Sequence, residues 1–112
     1  LFSEGKPGDT IEYRISFSNN GSAPINSLKI TDPLDGNLLL LQNGYTIGEF
    51  EGNVLLCIGE DDHLLFAEEG EDANLDYAFL NDGVLVIEVS RIVGALQPGS
   101  SVSILFKVRI NE

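Results

Sequence analysis

Cys57 and His63 are the only thiol and the only imidazole in the chain, and they stand six positions apart. Nucleophilic catalysis would need a thiolate, a base within reach and a third group to orient that base. Cys57 lies inside the apolar run Val54–Ile58, where a cysteine reads as a small core residue. His63, in Asp61-Asp62-His63-Leu64, reads as a solvated side chain. No phosphate loop, zinc-ligand spacing or nucleophile elbow appears anywhere. The expectation is a protein that is not an enzyme, with no catalytic residue and no cofactor.

Divalent-cation binding is the other chemistry the residues suggest. Asp72, Asn74 and Asp76 repeat the alternating oxygen ligands that open a calcium loop. Tyr77, however, stands where such a loop turns on glycine, and Gly83 where a bidentate glutamate would close it. Glu60, Asp61, Asp62, Glu68, Glu69 and Glu71 could add hard oxygens to a non-standard site. The plainer reading of this segment is a charged stretch that keeps a sheet edge soluble. A sugar platform would need exposed aromatic rings: the chain has no tryptophan, Tyr13 faces the core, and Tyr45 is the ring left to serve. A lysine–asparagine cross-link would need a buried lysine, yet Lys29 and Lys107 alternate away from their apolar neighbours and Lys6 sits in a turn. Asn20-Gly21-Ser22 matches a glycosylation sequon but also suits a turn.

Eighteen acidic against six basic residues give a formal net charge of −12. That charge argues against a nucleic-acid partner, which requires a basic footprint, and against an anionic membrane surface. It favours solubility and a monomer through mutual repulsion. The 112 residues suit one domain spanning 1–112, large enough to bury a core. One cysteine allows no internal disulfide, so packing must hold the fold. No apolar run approaches the length of a membrane span. The chain opens at Leu1 with neither methionine nor signal peptide, which reads as a module excised from a longer polypeptide.

Strands must position whatever site exists. Ile11, Tyr13, Ile15 and Phe17 alternate with Glu12, Arg14, Ser16 and Ser18, the period of a strand with one dry face. This strand is expected to organise the fold, with Ile15 nearly fully buried. Val102, Ile104, Phe106, Val108 and Ile110 alternate equally cleanly in the closing strand, so Phe106 is expected in the core. After the turn Asn19–Pro24, residues Ile25–Thr31 read as a hairpin-like return stopped at Asp32-Pro33. Leu38–Gln42, Asn53–Ile58, Leu64–Phe66, Tyr77–Leu80 and Val84–Val93 read as further strands. Asn81-Asp82-Gly83 is a hairpin turn, and the double-sided apolar start of Val84–Val93 marks a central strand. Within Glu60–Asp76 the alternative to a strand at Leu64–Phe66 is a single helical turn at Glu68–Leu75, and at most that one turn of helix is expected. The sum is an all-β, antiparallel sandwich of about seven to nine short strands.

Pro7-Gly8-Asp9-Thr10-Ile11-Glu12-Tyr13, followed by Asn19–Pro24, Ile30-Thr31-Asp32-Pro33-Leu34 and Gly94-Ala95-Leu96-Gln97-Pro98-Gly99, resembles the conserved repeat domain of prokaryotic cell-surface proteins, a family of unknown function. The resemblance covers both ends of the chain, about half of it. Gly44–Asp76 departs from the family pattern by being acidic and longer. It implies an immunoglobulin-like sandwich, often tandemly repeated, outside the cell. The expected function is a structural, spacer or adhesion module, extracellular and at the cell surface. Its partners would be neighbouring domains of the same polypeptide, with a cell-surface protein or glycan possible. The alternative is an accessory calcium- or carbohydrate-binding module using Glu60–Asp76.

Overall fold

The computed structural model describes residues 9–34, 36, 38–69 and 77–110. The fold is all-β, built mainly from antiparallel sheets as the alternation predicts. A five-stranded sheet contains β1 (Thr10–Ser18), β3 (Leu38–Leu40), β6 (Val54–Ile58), β7 (Asp61–Leu65) and β11 (Ser101–Ile110). A four-stranded sheet contains β2 (Ile30–Pro33), β8 (Glu68–Glu69), β9 (Ala78–Asn81) and β10 (Val84–Ile87). A separate hairpin joins β4 (Tyr45–Ile47) to β5 (Phe50–Gly52), and the one helix among the described residues is α1, Val89–Val93. Among the described strands only the short β8 runs parallel to its neighbour, β9. With the hairpin and β8, the strands exceed the expected seven to nine.

The organising strand is the last, not the first. β11 pairs with β1 along one side, and with β6 and then β3 along the other. Its alternation points Val102, Ile104, Phe106 and Val108 inward, each at most 1% exposed. Among the described residues β1 pairs only with β11 and lies at the sheet's edge; Ile11, Tyr13 and Ile15 are half-buried, and Phe17 is exposed. The expectation that Ile15 is nearly fully buried therefore fails, although its register is right: Ile15 faces Ile104 and packs against the core. Tyr13 meets the edge of Phe106 with ring centroids 5.5 Å apart.

Two other expectations change. Ile25–Thr31 is not a hairpin return. Ile25 makes an isolated bridge to Leu96, and the chain then crosses to the second sheet, where β2 pairs with β10. Pro33 is tolerated there because β2 is an edge strand, where a missing N–H leaves no ladder gap. Val84–Val93 is not one strand either. β10 ends at Ile87, and Ser90 turns the chain into α1 by a double clasp on Leu28. The Leu28 N–H donates to Ser90 Oγ at 2.7 Å, and the Ser90 N–H donates to the Leu28 carbonyl at 3.2 Å. The helical turn thus falls at Val89–Val93. In the acidic segment Glu68–Glu69 is strand, and residues 70–76 lie outside the described ones.

Elsewhere local chemistry acts as read. Asp82 and Gly83 both take positive φ, 56° and 84°, in the two-residue turn that a type I′ hairpin needs. β10 is central between β2 and β9. Leu56, Leu65 and Ile104 from one sheet and Ala78, Leu85 and Ile87 from the other join a single buried cluster, a sandwich-like arrangement.

Burial sets the expected cost of truncation. Phe106→Ala should lower the unfolding free energy by about 3–5 kcal/mol, whereas Ile15→Ala at the half-buried edge should cost only about 1–2 kcal/mol. Denaturant titration of both variants checks this; equal losses would contradict the edge position of β1.

Candidate functional site

The β6–β7 ladder decides the fate of the Cys57–His63 pair. Cys57 stands opposite Asp62, and His63 opposite Leu56. Alternation therefore sends the thiol to the outer face of the five-stranded sheet and the imidazole to the inner one. Cys57 is also not the core residue that its apolar run suggests, because its neighbours across β11 and β7 are Ser103 and Asp62. Burial and the Asp62 carboxylate push the thiol above its usual pKa, with Arg14 pulling weakly the other way. A thiol held protonated beside an acid is poorly nucleophilic.

Around Cys57 runs an open groove of about 970 Å3, whose lining includes Arg14, Glu60, Asp61, Ser101 and Ser103. Its hydroxyls are partly engaged with one another. Ser16 and Ser103 lie 3.2 Å apart, and Ser18 and Ser101 2.7 Å apart, as cross-strand pairs of β1 and β11. The groove offers one guanidinium, the His63 imidazole, the Glu60 and Asp61 carboxylates and a row of hydroxyls, and the thiol on it is held above its usual pKa rather than activated.

Tyr45 is not a free sugar platform. Its hydroxyl donates to Glu12 Oε2 at 2.6 Å, and Lys107 Nζ stands 4.8 Å from the ring centroid. Lys107 also donates to the Gly44 carbonyl at 3.1 Å. Burial first, then the bond to Glu12, raises the phenol well above its ordinary pKa. These contacts pin the β4–β5 hairpin to the outer face. Across from Tyr45, Gly52 lies so close to the Leu65 carbonyl and Leu64 side chain that a Cβ would collide with them. Lys29 is exposed and Lys107 is on the outer side, where the alternation placed both.

The motif turns converge on Asn19, 3% exposed. Its Nδ2 donates to the Ala23 and Leu96 carbonyls at 2.9 Å each, and its Oδ1 accepts from the Gly21 N–H at 3.0 Å. Its main chain accepts from Gly99 N–H at 2.8 Å and donates to the Ser100 carbonyl at 2.9 Å. Asn19–Pro24 and Gly94–Gly99 are thus stitched to each other. Asn20, the sequon residue, is exposed. A second buried amide, Asn53, exchanges two bonds of 2.7 Å with the Ala67 main chain. Neither convergence was legible in the sequence, since Asn19 reads only as a turn former.

The calcium candidates Asp72, Asn74 and Asp76, with Glu71, lie outside the described residues. Asp61 and Asp62 diverge to opposite faces of β7. Among the described residues no group of three or more His, Cys, Asp or Glu side chains is placed to hold a metal ion. Sequence reasoning also missed Ile47 and Phe50, 41% and 75% exposed beside the hairpin turn; Gly48-Glu49 between them was the available signal. No family model, curated protein or solved structure matches the chain.

The thiol environment can be titrated. Asp62→Asn should lower the Cys57 pKa and speed its reaction with a disulfide reagent at mildly alkaline pH, measured by absorbance. An unchanged or slower rate would remove Asp62 as a cause of the shift.

Proposed function

We propose that this chain is a non-catalytic structural or adhesion module of an extracellular, cell-surface protein, an immunoglobulin-like member of the repeat family that its turns resemble. The observation that carries the reading is the stitching of Asn19–Pro24 to Gly94–Gly99 through Asn19. It gives the motif residues an architectural task, joining the end of the first strand to the approach of the last. On the outer face Tyr45 is bonded to Glu12, Ser16 and Ser18 are bonded to Ser103 and Ser101, and the Cys57 thiol is held above its usual pKa. The acidic exterior keeps such a module soluble and apart from its copies.

Asp9 and Ile110 stand together at one end of the β1–β11 ladder. The Ile110 N–H donates to the Asp9 carbonyl at 2.9 Å. The stitched turns lie at the other end of the β1–β11 ladder.

An antibody raised against the purified module should label intact cells of the source organism without permeabilisation. Labelling that appears only after the envelope is opened would contradict a surface role.

A further inference from the structure

β7 closes one side of the five-stranded sheet, and among the described residues its one ladder partner is β6. A strand edge of this kind presents backbone donors and acceptors that another strand can take up. Over it stands the tip of the β4–β5 hairpin with Ile47 and Phe50, and Ile92 of α1 closes the cleft between, about 490 Å3 in volume. Singly exposed apolar residues need no explanation. Here Phe50 is 75% exposed and Ile47 41%, and both overhang a strand edge.

The surrounding charge selects the occupant. Glu51 and Asp62 line the cleft, and Glu49 at the hairpin turn and Glu60 and Asp61 at the start of β7 are further exposed carboxylates beside it. Neither lysine nor arginine is among the described residues that line the cleft. A second copy would bring these carboxylates against their own equivalents, in a chain of net charge −12. Opposite charge would instead be attracted and oriented. The geometry points to an interaction surface: the β7 edge docks an extended, basic segment of a partner protein. That segment adds as a strand, sets its apolar side chains on Phe50 and Ile47, and meets the carboxylates with Lys or Arg. The inference stands on the cleft alone and holds wherever the module is displayed.

The probe is a synthetic peptide alternating lysine with valine and isoleucine. Two controls accompany it, one N-methylated at the amides of one edge and one with glutamate in place of lysine. Binding to the purified chain is followed by fluorescence anisotropy and by amide chemical shifts. The lysine peptide should bind and shift the amides of Asp61–Leu65 and Phe50 most. Both controls, and the Phe50→Ser variant with an unchanged Tm, should bind at least about tenfold more weakly. No binding, or shifts confined to other strands, would overturn the proposal. Equal binding of the N-methylated peptide would reduce the attraction to charge alone. A dimer of the free chain that Phe50→Ser dissolves would give the edge to a second copy, and either result would equally overturn it.

Discussion

The pairing of the first strand with the last is the constraint on which the rest of the structure depends. Thr10 meets Arg109 and Ser18 meets Ser101, so the ladder closes nearly the whole chain into one loop. Closing a loop of that length costs conformational entropy, which local bonds cannot offset. Burial on the inner face of β11 offsets it, because Val102, Ile104, Phe106 and Val108 are essentially withdrawn from water. Each end of the ladder is also tied. Asn19, Gly99 and Ser100 bond at one end, and Asp9 and Ile110 at the other. Once β1 and β11 are held, β6 and β3 have a template on β11's second side, and α1 and Leu96 are drawn in through Ser90 and Ile25.

The surface follows from the same arrangement. Of the chain's six basic residues, Lys107 lies over Tyr45, and Arg91 pairs with Glu88 at 3.3 Å while covering the Tyr77 ring at 4.5 Å. Lys107 fastens a ring to the first sheet, and Arg91 ties α1 to the residue that precedes β9. A strongly acidic remainder then faces solvent, where it repels copies of the chain and favours cationic groups.

Alternation made β1 and β11 legible, since a period of two over eight or more residues admits no competing element. The Asp82-Gly83 turn was legible because few residue pairs tolerate two positive φ angles. What failed was partnership. Alternation shows that Ile15 faces inward but not that β1 stands at an edge, so its burial was overestimated. Val84–Val93 looked like one strand because Leu85, Ile87 and Val89 continue the pattern, while the clasp of Ser90 on Leu28 joins residues far apart in sequence. The candidate site was less legible still. Tyr45 looked available until Glu12 and Lys107 were brought to it, and Cys57 looked like core until β6 was placed beside β7.

If the motif turns serve architecture, two adjacent and chemically identical residues must differ sharply. Asn19 makes side-chain bonds to three main-chain groups, and Asn20 is exposed. Asn19→Ala should lower the unfolding free energy by about 2–4 kcal/mol through the partners it orphans. Asn20→Ala should stay within about 0.5 kcal/mol of the parent. Denaturant titration of the two variants side by side measures the difference. A small and equal effect of both would contradict the account, because the turns would then not be holding the first and last strands together.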